Sequence, residues 1–134
     1  MDTGKLGVWY FTETMAATQA AETAKRIEEL GYGTFWIPET TGRNPVAHAS
    51  WLLANTSTLN VATGIANIYH REPGVALAAQ NTLAEQSGGR FLLGMGVSHA
   101  PLVEGVRGLT YGKPLATMRK YLEGMDAAPY TAFP

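Results

Sequence analysis

Residues 61–68, Val61-Ala62-Thr63-Gly64-Ile65-Ala66-Asn67-Ile68, decide the fold class. A half-exposed antiparallel strand would alternate polar with apolar side chains, and this stretch does not. Near-continuous apolar runs of such length fit parallel strands covered on both faces. Three other glycine-flanked runs have the same character: Leu6-Gly7-Val8-Trp9-Tyr10-Phe11, Thr34-Phe35-Trp36-Ile37 and Phe91-Leu92-Leu93-Gly94-Met95-Gly96-Val97.

Helical patterns fill the intervals. From about Thr14 to Leu30, Ala17, Ala20, Ala24, Ile27 and Leu30 recur every three or four positions, and Gly31 stands where a left-handed cap is wanted. Asn44-Pro45 supplies a capping oxygen and then a proline at the first helical position, predicting a helix through His48, Trp51 and Leu52 to about Asn55. A third helix is expected from near Pro73, with Ala76, Gln80 and Leu83, to Gly88-Gly89. A fourth, from about Pro114 to Asp126, puts Leu115, Met118, Leu122 and Met125 on one face.

Strict alternation with short connections implies a parallel sheet with right-handed crossovers. An open doubly wound sheet and part of a (β/α)₈ barrel both satisfy it, and both gather ligands at the carboxyl ends of the strands. Residues 1–126 form the expected module of four βα units. Residues 127–134 lose helical periodicity, carry two prolines, and are expected to be a loop that stops where a fifth strand should begin.

Composition narrows the function classes. The 134 residues are 46% apolar and 16% charged, ordinary for a globular domain. A net charge of −1 gives no electrostatic reason to expect nucleic acid or an anionic membrane as partner. The absence of cysteine excludes disulfides, thiolate metal sites and a cysteine nucleophile. No basic segment leads into an apolar core at the start, and no apolar run approaches the roughly 18 residues of a membrane helix, so a soluble cytoplasmic protein is expected.

Among possible site residues, His99 directly follows the fourth strand, at the end where ligands collect, and its imidazole can move a proton near neutral pH. Glu39 follows the second strand and serves either as a solvated or capping charge or as a ligand for a cofactor. His70 is equally a surface-loop residue or a pocket rim. His48, mid-helix, reads as a partly exposed surface histidine. The three histidines lack metal-site spacing, and no metal is expected. Gly94-Met95-Gly96 reads as glycines slimming a strand for close packing, since the third glycine of a dinucleotide fingerprint would fall at His99.

The ordered set is more specific than any member. Trp36-Ile37-Pro38-Glu39, Asn44-Pro45 with His48-Ala49-Ser50-Trp51-Leu52-Leu53, residues 61–69, Arg71-Glu72-Pro73 and Ser87-Gly88-Gly89-Arg90-Phe91-Leu92-Leu93-Gly94-Met95-Gly96 resemble the luciferase-like monooxygenase superfamily, and within it the branch that uses coenzyme F420. The resemblance covers about Lys5 to Asp126 and implies the N-terminal half of a (β/α)₈ barrel holding a deazaflavin or flavin at its C-terminal mouth.

It further implies hydride transfer between F420 and a small organic substrate, with FMN-dependent monooxygenation as the alternative. Carried onto these positions, His99 is the acid or base and Glu39 stands near the ring. Gly64, Ile65, Ala66, Asn67 and Val97 would contact the cofactor. A bulge at Ile65-Ala66-Asn67, with a non-prolyl cis bond expected at Ala66–Asn67, would lie behind the ring. A half-barrel alone would expose its interior face and two strand edges, so a homo-oligomer is expected. A noncatalytic half-barrel that assembles through its open face is the reading from another class.

Overall fold

A computed structural model describes residues 1–133. In chain order it contains β1 (Gly7–Trp9), α1 (Ala17–Glu29), β2 (Thr34–Ile37), α2 (Pro45–Ala54), β3 (Asn60–Thr63), β4 (Ala66–Asn67), α3 (Pro73–Ser87), β5 (Phe91–Leu92), β6 (Met95–Gly96) and α4 (Pro114–Ala127). A short 3₁₀ turn (Ile68–His70) follows β4, and a π-helical turn (Pro101–Val106) follows β6. Strands β1, β2, β3 and β5 pair in that order, all parallel, while β4 pairs parallel with β6. The parallel α/β architecture is thus as expected.

Register explains which side chains face the helices. Val8, Phe35, Val61 and Phe91 lie side by side across the four strands. They join Ala20, Ala24, Ile27, Leu52 and other helix residues in one apolar cluster. Phe35, Leu52, Leu59 and Val61 are essentially inaccessible, and burying each such side chain contributes about 1.5–3 kcal/mol. Successive strand residues point to opposite faces. The neighbouring row, Trp9, Trp36, Ala62 and Leu92, therefore faces away from this layer.

Local chemistry sets the boundaries. Asn44 Oδ1 accepts from the amides of Val46 and Ala47 (3.0 and 3.2 Å), with Pro45 opening α2 as expected. Gly31 and Gly88 end α1 and α3 at φ 82° and 65°, a region glycine enters without a Cβ penalty. Arg90 then staples α2 to the sheet, donating to the carbonyls of Leu53, Leu59 and Ser87. At the amino ends of the strands, Thr34 Oγ1 donates to Thr3 O and Asn60 Nδ2 to Asp2 O, drawing the first residues across the sheet.

Three expectations are corrected. The third and fourth strands are each broken in two, because Gly94 O accepts from both Thr63 Oγ1 and Ala66 N (2.7 Å each) and so ends one ladder while starting the next. On α4 the buried residues are Tyr121 and Met125, with Met118 packed beside them, while Leu115 and Leu122 are exposed. Tyr121 wins that face because its hydroxyl reaches Arg71 O at 3.0 Å. The helix ends at Ala127, one residue later than read from periodicity, and residues 128–133 follow without regular structure. Pro134, the last residue of the expected loop, lies outside the described residues. No helix among the described residues is long and apolar enough to cross a membrane.

Candidate functional site

The break between β3 and β4 builds the centre of the site. The bond Gly64–Ile65 is cis, so the non-prolyl cis bond lies two positions before the expected Ala66–Asn67. A cis bond brings consecutive Cα atoms to about 2.9 Å, and Gly64 contributes no Cβ to that crowding. Ala66 and Asn67 instead pair with Met95 and Gly96, which requires ordinary extended backbone. Two indoles face Gly64: a Cβ there would lie 3.3 Å from Trp9 Cδ1 and 3.5 Å from Trp36 Cε3. Trp9 Nε1 also donates to Gly64 O at 2.8 Å.

Of the four bulge residues expected at a cofactor, two present surface. Ile65 is 37% exposed and Gly64 is half-buried, whereas Ala66 and Asn67 are inaccessible. The Ile65 side chain sits directly over Gly96, where a Cβ would meet its Cγ1 at 2.9 Å. A Cβ on Gly94 would likewise overlap the Thr63 carbonyl oxygen. The two glycines slim the strand for close packing, as the sequence indicates.

Glu39 holds this bulge from below. Its side chain is only 7% exposed, and both carboxylate oxygens are engaged. Oε2 accepts from the Asn67 amide at 2.6 Å; Oε1 accepts from an Arg71 guanidinium nitrogen at 2.5 Å and lies 3.1 Å from His70 Nδ1. Arg71 donates again to Asn67 O, and Asn67 Nδ2 lies 3.2 Å from His70 Nε2. Burial alone would raise the carboxyl's pKa; the hydrogen bonds from Arg71 and Asn67 outweigh it and hold the group below the usual carboxylate range. His70 is thereby a pocket-rim residue bound to Glu39 rather than a free loop histidine.

His99 and Val97 follow β6. Ser98 adopts φ 55°, uncommon for a residue with a side chain, and turns the chain so that His99 is exposed. His99 Nδ1 lies 3.5 Å from Ser98 Oγ. Tyr111 donates its hydroxyl to Ser98 O (3.1 Å) and stacks on Tyr69 at 5.6 Å between ring centroids, bracing this turn. Val97 packs against Ile68, Ala76, Tyr121 and Met125. No hydrogen bond joins His99 to Glu39 among the described residues, and no group of three or more potential metal ligands is found there.

His48 differs from expectation. It is 8% exposed and its Nε2 lies 2.8 Å from Thr12 Oγ1, tying α2 to the turn after β1. Burial, then the positive charge of Arg43, lower its pKa from 6.5 to about 4. Helical periodicity alone could not locate a partner that arrives from a loop 36 residues earlier.

Residues 1–131 match the family model described as luciferase-like monooxygenase. The chain belongs to the luciferase-like monooxygenase family. A protein of Mycobacterium tuberculosis named for coenzyme F420-dependent oxidoreductase activity is 33% identical over 103 residues, covering 77% of this chain and 30% of that protein. The 5,10-methylenetetrahydromethanopterin reductase of Archaeoglobus fulgidus is 34% identical over 100 residues, covering 74% and 30%. The chain thus spans about a third of the length of these relatives.

Two solved structures of similar fold extend the comparison. The coenzyme F420-dependent tetrahydromethanopterin reductase of Methanopyrus kandleri superposes with TM-score 0.78 at 21% identity, over 90% of this chain and 38% of that one. The oxygenating constituent of 3,6-diketocamphane monooxygenase from Pseudomonas putida, solved with FMN, gives 0.74 at 16% identity, over 89% and 38%. The chain is therefore half of a luciferase-like (β/α)₈ barrel, with relatives among F420-dependent oxidoreductases.

Within this luciferase-like half-barrel, reading the sequence missed Trp9 and Trp36 as neighbours of Gly64, and Arg71 as the partner of Glu39. Arg71-Glu72-Pro73 was the one available signal, and it carries a second function: Glu72 Oε2 caps α3 by accepting from Val75 N at 3.2 Å.

Proposed function

We propose that this chain is the N-terminal part of an F420-dependent oxidoreductase that exchanges hydride with a small organic substrate at the carboxyl ends of its strands. The observation that carries the reading is the accessible Gly64–Ile65 shelf, flanked by Trp9 and Trp36 and fixed from below by Glu39. Such a flat apolar surface fits one face of a planar ring. Bound F420 would supply the carbon that accepts or gives hydride.

The chain's own residues then have separate tasks. Ile65 and Gly64 support the ring. Glu39 is a positioning residue, since both oxygens are already engaged by Asn67, Arg71 and His70. His99, exposed beyond β6, carries a proton on Nε2 to or from the substrate oxygen as hydride moves at the neighbouring carbon. Apolar Trp9, Trp36 and Ile65 exclude water from the ring face.

The FMN-bound monooxygenase of similar fold supports FMN as the alternative cofactor. Assembly supports either activity: Trp9 is 58% exposed on the face opposite the helices, and a second copy covering that face would complete the mouth. With no membrane-crossing helix among the described residues, action in the cytoplasm fits this reading. Replacing His99 by Ala should abolish F420 oxidation or reduction with an unchanged melting temperature; full turnover in that variant would remove the proposed acid/base.

A further inference from the structure

Beside the shelf lies a second cavity of about 240 Å³ with quite different walls. It is several times the roughly 30 Å³ that a water molecule occupies in the liquid. Its lining comes from three strand-end segments: Glu39 to Asn44 after β2, His70 and Arg71 after β4, and Arg107 after the π-helical turn. Three guanidinium groups line this space.

Their surroundings decide what the cavity attracts. Arg71 is neutralised by Glu39. Arg43 donates to the backbone carbonyls of Thr12 and Met15, and Arg107 to Thr40 O at 2.9 Å. Carbonyl partners fix these two side chains without cancelling their charge. Neither has a carboxylate within salt-bridge distance among the described residues. Glu13 lies behind Gly42, taking the Thr40 hydroxyl at 2.7 Å; even counting it, three guanidiniums face two carboxylates. Arg107 has one nitrogen engaged, leaving donors of its planar fork free.

We infer that this cavity is an oxyanion site, in which Arg43 and Arg107 receive a phosphate or carboxylate group of a small ligand beside the ring shelf. Guanidinium groups held in place by backbone carbonyls suit planar, bidentate recognition of such groups. The inference deepens the proposed function and rests on it for the ligand's role: the anionic group belongs either to the substrate or to the cofactor. In both cases it anchors one end of a molecule whose other end reaches the Gly64–Ile65 shelf.

The test uses inorganic phosphate as probe. The full chain, labelled with ¹⁵N, is titrated with phosphate at constant ionic strength, following the backbone amides of residues 40–43 and the arginine side-chain signals. Saturable shifts confined to these groups are expected, with affinity weakened about tenfold or more in Arg107→Gln. Arg107→Lys should keep part of the affinity and Arg119→Gln, on exposed α4, all of it. Arg107 is the residue to change because it is exposed and makes one backbone bond, so the variant should fold.

Shifts that grow linearly with phosphate, spread to Arg119, or persist unchanged in Arg107→Gln would overturn the site. Repeating an F420 titration with phosphate present separates the sources: competition assigns the anion to the cofactor, and independent binding assigns it to the substrate. A chain that binds phosphate in this way but never F420 would retain the oxyanion site and lose the proposed cofactor.

Discussion

The carboxylate of Glu39 accepts the backbone N–H of Asn67 at 2.6 Å, joining the end of β2 to the strand that carries the Gly64–Ile65 shelf. Arg71 closes the arrangement by binding both Glu39 and the Asn67 carbonyl. A backbone segment that must present a fixed surface thus has its donor and its acceptor satisfied by one buried ion pair. Glu39→Gln would leave Arg71, 8% exposed, without a counter-charge. Breaking such a pair costs about 3–5 kcal/mol. Urea unfolding should show a loss of that order, and a loss below about 0.5 kcal/mol would contradict the role.

Acid should destabilise the protein in two overlapping windows. His48 has a folded pKa of about 4 against 6.5 when free, so the unfolded chain binds its proton first. Its contribution is complete above 6.5 and is lost as pH falls toward 4. Glu39, with its folded pKa also lowered, contributes above the ordinary carboxylate pKa and loses that contribution at still lower pH. Melting temperature should therefore fall from about pH 6.5 downward. In His48→Gln the slope between 6.5 and 4 should flatten; an unchanged slope would place the acid lability elsewhere.

How much of this was legible in the sequence depends on the range of the interaction. The Asn44-Pro45 cap, the glycine stops at Gly31 and Gly88, and β2 from Thr34 to Ile37 follow from chemistry within a few residues, and all are observed. The α4 face was misread because Leu and Met periodicity cannot reveal that Tyr121 has an acceptor in Arg71 O. The cis bond was placed late because residues 64–68 are uniformly apolar in pattern, and only the indoles of Trp9 and Trp36 mark Gly64. Position at a strand end identified Glu39 and His99 as candidates. It could not reveal that Glu39 is engaged by Asn67, Arg71 and His70 while His99 stands exposed.

Close packing at the shelf gives a sharper contrast. A Cβ at Gly94 would overlap a backbone oxygen, which cannot move aside as a flexible side chain could. Gly94→Ala should cost about 1–3 kcal/mol or more. Gly105→Ala, where a Cβ meets nothing within 4 Å, should stay within about 0.5 kcal/mol of the parent. Equal stabilities for the two variants in chemical denaturation would refute the packing argument.

The exposed indole of Trp9 bears on assembly. If a second copy covers the face opposite the helices, light scattering should give twice the mass of the 14.4 kDa chain, and Trp9→Lys should shift the population toward monomer. Trp51→Lys, on α2 within the helix layer, should leave that mass unchanged. A monodisperse monomer before any substitution would contradict assembly through this face.

The central claim is that the Gly64–Ile65 shelf supports a deazaflavin ring. Titrating the purified chain with oxidised and reduced F420, and with FMN in parallel, measures it directly by absorbance and fluorescence. The account predicts saturable F420 binding tighter than FMN binding, weakened in Glu39→Gln, where the shelf loses its anchor. Absence of binding by either cofactor to the folded, assembled chain would contradict it.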